Sequence, residues 1–416
     1  MALESLSPRA AAERQYQNER MTHSDFGMAP FTIAWEVTRA CAYACVHCRA
    51  DAQHQRDPRE LSTDEAKALI ERLAAFGNNP ILVFTGGDPM MRPDLFELIA
   101  YANERGLRCS LTPTATALPT KERLEKAREA GIKRVALSLD APRPEIHDDF
   151  RKVKGSWQRT MDTLHRAHDV GLSVQVNTTV AKYNVDILHE MVPFIQEVGA
   201  VQWSVFFLVP TGRAMREQMI SAGQHEKVFN WLYDLSQDAP FDIKSTAAPM
   251  YRRVAIERKR AEQTDKPVTF QSAGFQYADG LHRPTKGVND GNGFLFISHI
   301  GEIQPSGFLP ITAGMVREQD VVDVYRNSQI FKDLRDPSDG FPRAQRRRTN
   351  FVYHQTRSND PRQSDRWRIA GGRVWRQTRD HADGRTCGRD VSSRDAFRES
   401  AGDGGGTRGA GFDSGR

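Results

Sequence analysis

Between residue 31 and about 238, short β-rich runs alternate with longer stretches whose apolar residues recur at helical spacing. The runs 32–37, 81–85, 108–112, 134–140, 173–180 and 202–209 are rich in Val, Ile, Phe and Thr. Several are apolar at consecutive positions, as expected of strands covered on both faces. Between the first two, Ser62-x-x-Glu65 reads as a capping box. Ala66, Leu69, Ile70 and Leu73 then fall on one helical face, and Gly77 supplies the stop. Further helices are predicted over 94–105, 121–130, 158–170, 186–198 and 224–236. Gly106, Gly131, Gly171 and Gly199 each stand where a C′ glycine ends a helix. Pro193 predicts a kink in the helix over 186–198. Six consecutive βα units imply a parallel sheet with right-handed crossovers. Six are too few for a closed eight-stranded barrel. The fold class is therefore α/β, a partial (βα)6 TIM-like barrel whose function sits at the C-terminal ends of its strands.

After residue 239 the alternation stops. Residues 259–292 read as a polar connection, 294–298 and 302–304 as a hairpin turning at Gly301, and 321–334 as a last helix. The expected organisation is an N-terminal extension (1–30), the barrel (31–240), a connector with a hairpin-plus-helix appendage (241–342) and a tail (343–416). Leu, Lys and Met are absent from the tail, which carries 17 Arg. Such a composition builds no core and predicts disorder.

Charge divides at the same boundary. The formal net charge of +5 is the sum of about +8 in the tail and −3 in the rest, so the body has no electrostatic case for nucleic acid. No run of eighteen apolar residues is available to span a membrane. The first thirty residues carry charges throughout and lack an apolar stretch of the secretory kind, so the expected location is the cytoplasm.

Of five cysteines, Cys41, Cys45 and Cys48 lie within eight residues, directly after the first predicted strand. Clustered thiols in a large chain point to metal or redox chemistry rather than to a disulfide framework. A tight loop can aim three thiolates at three corners of an iron–sulfur cube, leaving the fourth iron open. A zinc site completed by His47 or His54, or simply buried thiols, are the alternative readings of this motif alone.

Cys41-x-x-x-Cys45-x-x-Cys48 after a first strand, with Gly86-Gly87-Asp88-Pro89 after a second and six βα units, resembles the radical S-adenosylmethionine (SAM) superfamily. More narrowly, residues 31–335 resemble its SPASM-type branch, which includes haem d1, coprohaem-decarboxylating, pyrroloquinoline-quinone and mycofactocin maturases. The resemblance implies one [4Fe–4S] cluster held by Cys41, Cys45 and Cys48, with SAM chelating the open iron. One electron then cleaves SAM to methionine and a 5′-deoxyadenosyl radical. It implies a reductase partner such as flavodoxin or ferredoxin, and a tetrapyrrole or peptide substrate that loses a hydrogen atom. By position, Gly86, Gly87 and Asp88 would meet the SAM amino group, although the family more often has Glu where Asp88 stands. Ser138 and Asp140, placed on one face by strand alternation, would face SAM or its ribose. Arg151 would pair with the SAM carboxylate, and Asn177 with the ribose or carboxylate. Val209 and Pro210 would flank the adenine, and His47 stands where the family places an aromatic residue. His165, His168, Cys109, Trp203, Phe206 and Phe207 read as packing or surface groups.

The chain departs from the branch near Pro342. Ser306 stands where many members have a first auxiliary-cluster cysteine, and only Cys387 follows, so this segment offers no protein-ligated auxiliary cluster. The alternative of another class is a non-catalytic iron–sulfur or zinc module with a basic, nucleic-acid-binding tail. The joint loss of Leu, Lys and Met with a rise in Arg suggests a reading-frame change. The gene tests this directly. One of the other two frames after about codon 340 should encode a cysteine-rich CxxC segment, and its absence from both would end the idea.

Overall fold

Seven strands pair in sequence order, all parallel: β1 (Thr32–Glu36), β2 (Ile81–Thr85), β3 (Arg108–Leu111), β4 (Arg134–Ser138), β5 (Ser173–Val180), β6 (Gln202–Phe207) and β7 (Asp242–Thr246). This computed structural model describes residues 25–262 and 288–335, with three short strands beyond them. The helices between the strands are α1 (Thr63–Ala74), α2 (Leu95–Glu104), α3 (Lys121–Ala130), α4 (Pro144–Arg151), α5 (Ser156–Asp169), α6 (Val192–Glu197) and α7 (Ala222–Asp238). The capping box at Ser62 forms as expected, and the apolar face of α1 (Ala66, Leu69, Ile70, Leu73) is buried. Trp35 and Phe84 from β1 and β2 meet at a ring-centroid distance of 5.8 Å in the same core that holds Trp203. Among the described residues no helix is long and apolar enough to cross a membrane.

Four findings differ from the pattern read along the chain. Alternation continues past residue 239 through β7 and α8 (Met250–Glu262). β7 escaped notice because it closes this end of the sheet's strand order, and of its five residues only Asp242 and Ile243 are buried. A further helix, α4, follows β4 outside the predicted helices, with Pro144 in its first turn as a start signal. Pro193 starts a helix rather than kinking one: a 3-10 stretch, Val185–Met191, precedes α6, where the missing N–H does no harm. The last helix is two, α9 (Val321–Asn327) and α10 (Gln329–Arg335), parted by the extended backbone of Ser328.

The hairpin is not an appendage. It comprises β9 (Gly293–Ile297) and β10 (Glu302–Gln304), with short β8 (Asn289–Asp290) and β11 (Gly314–Met315) beside them. Strand β9 pairs parallel with β1, Ile33 opposite Leu295 and Trp35 opposite Ile297. It thereby covers what would be an open apolar edge of the sheet. The boundary expected near residue 240 accordingly falls inside one compact unit, Met1–Tyr353. The expected connection (259–292) lies in α8 up to Glu262, and 263–287 are outside the described residues.

The second unit is His354–Arg416. Its described residues are β12 (Trp367–Ile369), β13 (Arg373–Arg379) and β14 (Thr386–Val391), an antiparallel sheet. These strands are more regular structure than the tail's composition predicts. The rest of the tail, and the N-terminal extension before residue 25, lie outside the described residues.

Ser62 Oγ accepts from the Glu65 N–H at 3.3 Å, and the Glu65 carboxylate accepts from the Ser62 N–H at 2.8 Å. Ser62→Ala should therefore lower stability by about 1 kcal/mol, read from the midpoint of urea denaturation.

Candidate active site

After β1 the chain runs as an irregular loop through Cys41, Cys45 and Cys48 before α1 begins. Such a loop holds its shape only if its backbone groups find partners elsewhere. The end of β2 supplies the first set. The Gly87 N–H donates to Thr38 O (2.8 Å) and the Asp88 N–H to Ala40 O (2.7 Å). A Cβ at Gly86 would lie 2.3 Å from Thr38 O, and one at Gly87 2.4 Å from Ala40 O. The double glycine is thus what lets two backbones touch.

The end of β6 supplies the second set, which the sequence did not reveal. Arg213 donates from its backbone N–H to Cys48 O (3.0 Å), from Nε to Cys45 O (2.9 Å) and from Nη1 to Ala52 O (2.9 Å). Gly212, at φ +65°, precedes it where a Cβ would lie 2.3 Å from Cys48 O. A glycine–arginine pair just past a strand end was the available signal. A third tie links the loop to the hairpin. Arg49 Nη2 donates to Glu36 Oε2 (2.7 Å), and His299 Nδ1 lies 2.8 Å from Glu36 Oε1. Burial would raise the Glu36 pKa, but Arg49 and His299 outweigh it and hold the carboxylate below its ordinary value.

All three thiols line one cavity of about 220 Å³ at the C-terminal end of the sheet. Each sulfur accepts one N–H: Cys41 from Tyr43 N (3.3 Å), Cys48 from Ala52 N (3.4 Å) and Cys45 from Arg151 Nη1 (3.6 Å). Three free thiols on one loop, each met by a hydrogen-bond donor, suit thiolate ligands of an iron–sulfur cluster. Burial pushes the Cys41 thiol up to about 11 and raises Cys45 against the opposing Arg151 charge. Among the described residues no three His, Cys, Asp or Glu side chains gather as ligands of a single metal ion. In a cluster, by contrast, each thiolate binds its own iron.

The other expected site residues divide. Gly86, Gly87, Ser138, Asn177 and Arg151 line the cavity, as do His47 and Val209. Asp88 does not. It is fully buried, capping the turn at Met90 N (3.1 Å) and accepting from Thr116 Oγ1 (2.9 Å), and burial pushes its pKa up to about 6. Asp140 is also fully buried and away from the cavity lining. β4 ends at Ser138, so strand alternation no longer aligns the two side chains. Burial works against the Asp140 carboxylate, but the Arg151 charge prevails and holds it below the usual range. Arg151 donates through Nε to Asp140 Oδ2 (2.7 Å), with Nη2 also on that oxygen, so its charge already has a partner. Pro210 is not among the lining residues.

Phe206 and Phe207, expected to serve only packing, line the cavity with Phe308 from the segment after the hairpin. Ser306 is buried and accepts from the Phe308 N–H at 2.9 Å, shaping that turn. His47 stacks on Phe150 at 4.0 Å, and Phe150 meets Tyr183 at 3.9 Å. Burial, with Arg151 nearby, drives the His47 pKa down to about 3, so the ring is neutral. Cys109 and Trp203 are core residues, as expected, and His165 lies partly exposed 3.4 Å from Glu197.

The radical SAM superfamily model matches residues 35–195. The chain is 42% identical over 77% of its length to the AdoMet-dependent heme synthase of Oleidesulfovibrio alaskensis, covering 81% of that protein. It is 38% identical to the heme synthase of Methanosarcina barkeri over 75% of this chain and 86% of that one. The chain belongs to the radical SAM superfamily. Its relatives place it in the SPASM-type branch, which also takes in the mycofactocin maturase of Mycolicibacterium smegmatis, 30% identical over 53% of this chain and 57% of that one. In fold, this radical SAM enzyme is similar to SuiB of Streptococcus suis in its SAM-bound crystal structure, with a TM-score of 0.58. That match covers 81% of this chain and 75% of the other at 16% identity. Membership implies SAM and an iron–sulfur cluster as cofactors.

Arg151 is expected to matter for stability, contrary to a purely ligand-binding role. Arg151→Ala leaves the Asp140 carboxylate buried without its counter-charge and should cost about 3–5 kcal/mol. The same change in an Asp140→Asn background should cost much less. Chemical denaturation of the three variants measures the difference.

Proposed function

We propose that this radical SAM enzyme is a haem synthase that acts on a tetrapyrrole precursor of haem. The observation that carries the reading is its likeness to AdoMet-dependent heme synthases of three organisms, at 38–43% identity over 73–77% of the chain. A peptide-directed relative, the PqqA peptide cyclase of Bradyrhizobium diazoefficiens, is more distant at 29% identity over 43% of the chain, as are the mycofactocin maturases at 25–30%. Cys41, Cys45 and Cys48 would hold one [4Fe–4S] cluster. When bound there, the cluster supplies the electron that cleaves SAM to the radical that takes a hydrogen atom from the substrate.

The chain's own residues position and shield this chemistry. Gly86–Gly87 and Gly212–Arg213 fix the cysteine loop, and one N–H group meets each of the three sulfurs. Gly86, Gly87, Ser138 and Asn177 would present backbone and side-chain polar atoms to SAM. Asp88 and Asp140 act one step back, Asp88 by shaping the turn beside the cysteine loop and Asp140 by holding Arg151 against Cys45. The apolar wall of Phe206, Phe207, Leu208, Val209 and Phe308 keeps water from a reactive radical and suits a flat macrocycle. The electron would come from a flavodoxin- or ferredoxin-like protein in the cytoplasm.

Anaerobic reconstitution tests the reading in parts. The purified protein should bind about four irons per chain, the content of one [4Fe–4S] centre; eight in a monomer would contradict a single cluster. With SAM and dithionite it should form 5′-deoxyadenosine, and Ala at any of Cys41, Cys45 or Cys48 should abolish this. Retained activity in a single mutant would refute the ligand assignment, and a wild type that forms no 5′-deoxyadenosine would favour a non-catalytic module. Given a tetrapyrrole precursor, the product should show the absorption spectrum of haem. Turnover of a peptide instead would overturn the substrate.

A further inference from the structure

Several polar groups of the cavity lining already have protein partners. Arg151 is committed to Asp140 and Cys45, Asn177 Oδ1 accepts from Gln175 Nε2 at 2.8 Å, and Gly87 O accepts from Thr114 Oγ1 at 2.9 Å. Two histidines on the lining differ, His47 with an unpartnered Nδ1 and His147 with an unpartnered Nε2, and of these His147 is the fully buried one.

The tautomer of this ring follows from one contact. The Asp140 backbone N–H lies 3.1 Å from His147 Nδ1. A peptide N–H can only donate, so Nδ1 accepts and carries no proton. The proton of the neutral ring is therefore on Nε2, the atom without a partner. Asp140 itself does not move freely, because its Oδ1 accepts from Thr179 N (2.8 Å) and its carbonyl from Asn184 Nδ2 (2.6 Å). Burial and the Arg151 charge push the His147 pKa down to about 4, which keeps the ring neutral at physiological pH.

We propose that His147 is a SAM-binding residue, offering a neutral Nε2–H donor to an acceptor oxygen of the bound SAM. The proposal rests on the function proposed above and adds a contact to it. A buried donor without a partner is unfavourable, and a ligand acceptor removes that cost. The ligand is SAM rather than the tetrapyrrole because of what surrounds the ring. His147 shares Asp140 with Arg151, whose guanidinium touches the Cys45 sulfur, so the molecule beside it is the one that reaches the cluster. A neutral donor also suits SAM, since a charged imidazolium would repel its sulfonium.

Two substitutions separate the ring's two nitrogens. Asn at this position imitates Nδ1 and keeps the Asp140 contact but not the cavity donor, whereas Gln imitates Nε2 and keeps the donor. SAM binding is measured by equilibrium dialysis on cluster-loaded, unreduced protein, with iron content and melting temperature recorded alongside. His147→Asn should weaken SAM binding about tenfold, the scale of one hydrogen bond, with iron content unchanged. His147→Gln should stay within about threefold of wild type. Wild-type affinity in His147→Asn would overturn the proposal, as would a loss in His147→Gln as large as that in His147→Asn. If the Asn variant fails to fold, the Gln variant decides: affinity near wild type supports the donor role, and a tenfold loss overturns it. A wild-type protein that holds its cluster but binds no SAM would overturn the proposed function itself.

Discussion

The whole site depends on backbone touching backbone. An irregular loop can keep three sulfurs in place only when its carbonyls are taken up by rigid neighbours, and here the neighbours are two strand ends. Thr38 and Ala40 carbonyls go to the turn after β2, and Cys45, Cys48 and Ala52 carbonyls go to Arg213 after β6. Both contacts are close enough that a single methyl group would force the chains apart. The sulfurs inherit the stiffness of the sheet because nothing larger than hydrogen stands between loop and strand ends.

Charge is arranged with the same economy. The Arg151 guanidinium joins Asp140, two residues beyond β4, to a cysteine of the loop, and this one cation neutralises the acid deep inside the protein. The acid then passes its geometry on through its peptide N–H to His147. One ion pair thus sets the donor on Cys45, the direction of a histidine ring and the anchorage of α4. Removing a member of such a group exposes an unpaired charge, which is why stability and ligand binding are expected to move together there.

Much of this was legible in the chain. Six strand positions and most helices could be read from apolar runs, C′ glycines and a capping box, because local packing and local backbone preference agree there. The cysteine spacing and the Gly86-Gly87 turn pointed to residues that line one cavity. What failed was anything that depends on which side of a strand end a group lands. Asp140 lost the alternation two residues earlier than expected, and Asp88, a carboxylate beside two glycines, is used as a turn cap. Gly212–Arg213 acts more than 160 residues from the loop it holds, and no local pattern records that. No sequence pattern marks the role of His147, since its tautomer depends on a peptide N–H fixed by three other residues. β7 and the pairing of β9 with β1 were missed for a related reason. β7 is short and only partly buried, and strand partners far apart in sequence leave no periodic trace.

The pairing of β9 with β1 also sets an order of events during synthesis. β1 is among the first strands to leave the ribosome, and its free edge waits for a strand that follows nearly the whole barrel. At ordinary elongation rates that interval is roughly 15–50 s. Throughout it, Ile33 and Trp35 lack their final cover and Glu36 lacks His299. The nascent barrel is therefore most prone to aggregation through its first strand, and the loop that begins there settles only once the late hairpin has docked. A cluster on this loop would therefore meet its final setting only after the hairpin has been made.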